Sequence, residues 1–250
     1  MPLIQPIDFK TNIVKSHSQK AFTLSEVLIT LGIIGVVAAI TIPNLVANYQ
    51  KDQTATKLKQ TYSMLSQALN SAAGDQGGEF SSLVDYGQIS ISDSNAETIT
   101  SDFVKNNIKP YLSITKDFGF GNSSIITGRG NNRSLNGSSN DSMYYRIILK
   151  NGTMLFFCPD TGGGYFNSMI IFADINGNKS PNIIGKDIFV MFLWSNSNYN
   201  KKLLMYGEWL SRDSLFSTSY IYACDKSKTG FYCGALIMKD GWKISDDYPW

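Results

Sequence analysis

The sequence predicts an α+β fold: a long N-terminal helix, half membrane segment and half amphipathic, packed on a C-terminal antiparallel sheet. Three observations predict it. A charge-free apolar run covers Val27 to Ile42. Behind it, apolar residues recur at helical spacing to about Ala73. From Met143 onward, short apolar runs of strand length alternate with turn residues. Helical periodicity followed by consecutive strands is the pattern of a helix lying on a sheet. The 250 residues suffice for one sizeable core with an appended helix.

The first element is a membrane span. Phe22 to Ile42 makes 21 residues, and a helix of that length, at about 1.5 Å per residue, just crosses a hydrocarbon core of about 30 Å. Glu26 is the one charge in it. A secretory signal peptide would have a shorter apolar stretch and a small-x-small cleavage site, whereas this run ends in Ile-Thr-Ile-Pro. A plain signal anchor explains the length and leaves the acid unexplained, since a carboxylate inside a membrane segment costs roughly 2.5–3.5 kcal/mol.

The residues Lys20-Ala21-Phe22-Thr23-Leu24-Ser25-Glu26-Val27-Leu28-Ile29 resemble the prepilin cleavage and methylation signature of type IV pilins and type II secretion pseudopilins. The resemblance implies cutting between Ala21 and Phe22 by a prepilin peptidase on the cytoplasmic side and N-methylation of Phe22. It also implies an assembly role for Glu26, and Pro43 falls where the family has a helix-kinking proline. One departure is Ala21, which stands where the family has glycine before the cut. The family's fold is the helix-on-sheet arrangement predicted above.

The physics of the motif stands apart from its name. A cut before Phe22 creates an ammonium at the start of a membrane helix, one turn from Glu26. In low dielectric, an ion pair with its own or a neighbouring subunit's ammonium offsets desolvation that neither charge would bear alone. Gly32, Gly35 and Ala39 are small residues that permit close helix approach. Pro43 has no N–H for the carbonyl of Ala39, so the helix is expected to kink or loosen there.

Beyond Pro43, Leu58, Tyr62, Leu65, Leu69 and Ala72 form an apolar stripe, and Gly74 with Gly77-Gly78 ends the helix. A short helix is expected from about Ala96 to Lys109, capped by Asn95 and closed by Pro110. Residues 119–142 are rich in Gly, Asn and Ser and read as a loop. Strands follow at Met143–Leu149 and Thr153–Cys158, joined by Lys150-Asn151-Gly152. Further strands are expected at Ser168–Ala173, Ile188–Trp194, Leu203–Tyr206, Tyr220–Ala223 and Tyr232–Met238. The organisation is thus leader 1–21, membrane helix 22–42, amphipathic continuation 43–73, a helix-and-loop region 74–142, and a sheet region with a tail, 143–250.

Between two strands, Asp174, Asn176 and Asn178 place oxygens at alternate positions, and Asp187 adds a second carboxylate. Two readings stand. The set suits one hard cation such as calcium, and some pseudopilins bind calcium in a loop between strands. The same residues also suit an Asx-Gly turn with capping side chains. The tail, with Trp242, Tyr248 and Trp250, reads as an anchor on the sheet or a subunit contact.

Composition excludes other classes. The formal net charge is +2, all of it carried by Lys10, Lys15 and Lys20 against Asp8, so the rest is neutral and lacks the electrostatic footprint of nucleic-acid binding. His17 is the only histidine and lies in the leader, so the mature chain is expected to carry no histidine-based catalysis or metal chemistry. Three cysteines allow three pairings. Cys224 and Cys233 flank a short polar stretch and are the expected disulfide in an oxidising compartment, leaving Cys158 beside Phe156 and Phe157.

The expected protein is a non-enzymatic structural subunit of a pilus or pseudopilus. Its expected partners are sibling subunits, a prepilin peptidase and an inner-membrane assembly platform, with the C-terminal domain extracytoplasmic. Lysines flank the span on both sides, so charge does not decide orientation. The alternative is a membrane-anchored binding or adhesin module with an uncleaved anchor.

Overall fold

A computed structural model describes residues 22–78, 83, 95–122, 143–160, 168–177, 179–194 and 203–250. The chain divides into two compact units, Met1–Ala47 and Asn48–Trp250. Helix α1, Leu24–Asp75, runs from the first into the second and is continuous through Pro43. In the first unit, large apolar side chains on every side of α1 are exposed, Leu24 at 78% and Ile40 at 66%. Thr30 returns its hydroxyl to the carbonyls of Glu26 and Val27, each at 2.9 Å, and Thr41 returns its own to Val37 at 2.9 Å. These polar groups therefore ask nothing of a surrounding hydrocarbon.

The second unit is a helix layer on a sheet. Strands β1 (Ile114–Asn122), β2 (Met143–Leu149), β3 (Met154–Asp160), β4 (Ser168–Asp174), β5 (Ile188–Trp194) and β6 (Leu203–Met205) pair antiparallel in sequence order. Alternation divides the strand residues between two faces. One face carries Ile147, Leu155, Phe157, Ile171, Met191 and Met205, and packs with Ala55, Leu58, Leu65, Leu69 and Ala72 of α1 in a single buried cluster. Fully burying each leucine contributes about 1.5–3 kcal/mol. The opposite face carries Tyr144, Phe156, Cys158, Phe172 and Val190, clustered with Phe231 and Ile184. Burial on both faces explains why these strands read as continuous apolar runs.

Helix α2 covers Ala96–Phe103 and passes directly into one turn of π-helix, Val104–Ile108, ahead of Pro110. Asn95 stands at its N-terminus, but its side chain makes no capping bond. The expected cap is therefore absent, and only the Asn95 carbonyl serves, accepting from the Ile99 N–H at 3.0 Å.

Three expectations are corrected. β1 begins at Ile114, so residues 119–122 of the expected loop belong to a strand, while 123–142 lie outside the described residues. Tyr220–Ala223 forms turns rather than a strand. Tyr232–Met238 is not a strand either: helix α3 covers Cys233–Lys239. Its residues Cys233 to Ile237 are all buried, and a short apolar run buried on every side carries no periodicity by which helix and strand differ.

Candidate functional site

The N-terminal site is built on the first turn of α1. Phe22 and Thr23 precede the helix, and Phe22 is 85% exposed. The Thr23 backbone N–H and hydroxyl both donate to Oε2 of Glu26, at 2.9 and 2.8 Å. In return, the Glu26 backbone N–H donates to the Thr23 hydroxyl at 3.2 Å. This is a capping box, which satisfies otherwise orphaned donors of the first turn. Both donors end on the same carboxylate oxygen, and Oε1 has no partner among the described residues. Ala21 lies outside the described residues.

A second site lies between β4 and β5. Asp174 ends β4 opposite Ile188, and Asp187 immediately precedes β5, so the sheet register itself brings the two carboxyl groups to one end of the strand pair. Asp187 accepts the backbone N–H groups of Asn182 (2.8 Å) and Ile183 (2.6 Å) and the side-chain amide of Asn176 (3.0 Å). The Asn176 backbone N–H donates to Oδ1 of Asp174 at 3.2 Å. The positive φ of Asn182, 53°, bends the loop between them.

Asp174 is fully buried. Its Oδ2 and the Oδ1 of Asn176 are buried and have no hydrogen-bond partner among the described residues. Burial, and then the charge of Asp187, pushes the Asp174 carboxyl up to about 7. Burial also raises Asp187, against the three donors that hold it ionised. Asp174, Asn176 and Asp187 are thus assembled, while Asn178 lies outside the described residues. Two carboxyl groups and orphaned amide and carboxyl oxygens are a donor set for a hard cation. Among the described residues, no three acidic, histidine or cysteine side chains are grouped so as to hold one metal ion.

Beside the loop is an open cleft of about 350 Å³, lined by Gln53, Thr54 and Lys57 of α1 with Asn176, Asp187 and Trp250. The tail forms its far wall. Tyr248 donates its hydroxyl to the carbonyl of Gly185, and Trp242 meets the ring of Tyr62 at 5.5 Å. The tail is packed on the core, with Tyr248 buried.

Sequence reasoning missed two further constellations. Arg212 donates to both oxygens of Asp240, at 2.6 and 2.8 Å, and to Asp247 at 3.0 Å. Tyr206 meets the rings of Phe192, Trp209, Tyr222, Phe231 and Tyr232 at 5.3–5.9 Å. Neither carries a local sequence signal, because the partners come from separate segments. Cys224 and Cys233 are joined in a disulfide beside the Tyr206 rings, and Cys158 is buried on β3.

Comparison with known proteins adds two matches. Residues 16–42 match the prokaryotic N-terminal methylation motif. Residues 44–250 match a family of unknown function, DUF6613. No curated protein and no solved structure matches the chain.

Proposed function

The chain belongs to the DUF6613 family of unknown function, and from that membership and its methylation motif we propose a structural subunit of a type IV pilus or type II secretion pseudopilus. The motif at residues 16–42 marks a pilin-like protein processed by a prepilin peptidase. Its long apolar N-terminal helix is a candidate membrane anchor.

The observation that carries the reading is Glu26, set at the mouth of the otherwise uncharged apolar stretch of α1 that runs to Ala47. With Oε2 held by Thr23, Oε1 remains for the ammonium created at Phe22, on its own helix or a neighbour's. Such a pair fixes the axial register of packed helices. The protein then needs sibling subunits and an inner-membrane platform, displays its second unit outside the cytoplasm, and performs no catalysis of its own.

Mass spectrometry of material from the native host tests the processing. N-methyl-phenylalanine at Phe22 supports the subunit reading, and an intact leader favours the anchored-adhesin reading. Glu26→Gln and Glu26→Ala are expected to insert normally and to be lost from filaments. Normal incorporation of either variant removes the assembly role.

A second role is supported by the orphaned oxygens of Asp174 and Asn176. Calcium between Asp174, Asn176 and Asp187 would satisfy them and neutralise the carboxyl pair. Millimolar calcium, but not magnesium, is expected to raise the melting temperature of the wild type and not of Asp174→Asn. No shift with calcium leaves the loop as a self-capped turn.

A further inference from the structure

The bond cut by a prepilin peptidase lies just ahead of Phe22, so the local backbone must be available in an unwound form. A peptide bond inside a helix has its carbonyl and N–H engaged with residues a turn away, and proteolysis concentrates where backbone is exposed and unpaired. Phe22 meets that condition, because it is exposed and α1 begins only at Leu24. Yet nothing in the composition there stops a helix. Ala21 is the strongest helix former, about 1 kcal/mol better than glycine, and neither proline nor glycine occurs between Ala21 and Leu31.

What ends the helix is the reciprocal bonding of Thr23 and Glu26. An N-cap residue has non-helical backbone angles, and its side chain takes the place of the preceding turn. Here the Thr23 hydroxyl receives the Glu26 N–H, and the carboxylate receives the Thr23 N–H. Extending α1 backward through Phe22 breaks both bonds. We infer that Thr23 is a positioning residue for processing: its capping bonds with Glu26 hold the helix start at Leu24 and keep the bond before Phe22 out of the helix. The inference rests on the reading of the chain as a prepilin-peptidase substrate. It gives Glu26 a task before assembly as well as during it.

The test follows cutting of the full-length precursor in membranes by a prepilin peptidase, reading the fraction that begins at Phe22 by intact mass over time. Thr23→Val keeps the shape and removes the hydroxyl. It is expected to be cut roughly fivefold more slowly, the factor that corresponds to a cap worth about 1 kcal/mol. Thr23→Ser restores the hydroxyl and the rate. Adding Ala21→Gly to Thr23→Val also recovers the rate, because glycine disfavours the helix that the lost cap admits. A gain from Ala21→Gly that is larger in Thr23→Val than in the wild type separates helix stopping from direct recognition of the threonine and from the peptidase's own preference for glycine. Cutting of Thr23→Val at the wild-type rate, or failure of Ala21→Gly to rescue it, overturns this inference alone. A wild-type precursor that is never cut before Phe22 overturns the processing reading and the inference together.

Discussion

The two stretches of α1 put one backbone geometry to opposite uses. From Leu24 to Ala47 no residue is buried, and Leu45 is 70% exposed although it is as apolar as any core residue. From Asn48 to Asp75 a single stripe is sealed, with Leu58, Leu65 and Leu69 at 0%, while Lys57, Lys59 and Gln60 face outward. A helix apolar on all sides suits a surround of its own polarity, and a striped helix suits a sheet. The difference teaches that fold stability resides in the second unit, whereas the first unit's apolar surface adds nothing to the core and is a candidate membrane anchor.

The largest expected effect is Leu65→Ala, which should cost about 2–5 kcal/mol by leaving a cavity against the sheet. Thermal or denaturant unfolding of the detergent-solubilised chain measures it. Cys224→Ser should cost about 2–4 kcal/mol by opening the loop to Cys233, and reductant should have no added effect on that variant. Gly177→Ala should cost about 1–2 kcal/mol, since Gly177 sits at φ 60° and an added Cβ would strike the carbonyl of Gly152 in the β2–β3 turn.

A smaller effect is set by pH. Asp174, with its carboxyl raised to about 7, contributes stability below about pH 4 that is lost as pH rises through 7. Asp240 and Asp247, lowered by Arg212, act oppositely: their contribution is present above the usual carboxylate range and lost as pH falls through their own values. In chelator, the melting temperature should therefore peak in mild acid, and Asp174→Asn should flatten the decline above it. The smallest effect is Val36→Ala, expected within about 0.5 kcal/mol. A loss there comparable to that of Leu65→Ala would break the division between the two stretches.

Most of the fold was legible because its elements are long or strictly patterned. β2 and β5 fall at Met143–Leu149 and Ile188–Trp194 as expected, the first apolar apart from Arg146 and the second apolar throughout, and both bounded by turn residues. β1 escaped notice because Ile114–Asn122 contains Gly119 and Gly121 and pairs with two irregularities in register. Its place depends on distant partners, since Asp117 is met by Lys109 and Tyr145. The carboxyl pair was legible only as spacing. That Asn182 donates to Asp187 depends on a backbone bend no side-chain pattern announces. Thr23 was visible as part of a motif, but its bonds to Glu26 were not.

Tyr62 donates its hydroxyl to the carbonyl of Leu203, 141 positions further along the chain, and its ring packs at a tilt against Trp242. Thr61 bonds to Thr153 across 92 positions. The helix layer therefore waits for strands and tail made long after it, and contacts this remote in sequence close slowly. An exported chain would arrive with its striped helix bare until its final residues follow. Until then Leu58, Leu65 and Leu69 have no sheet to cover them.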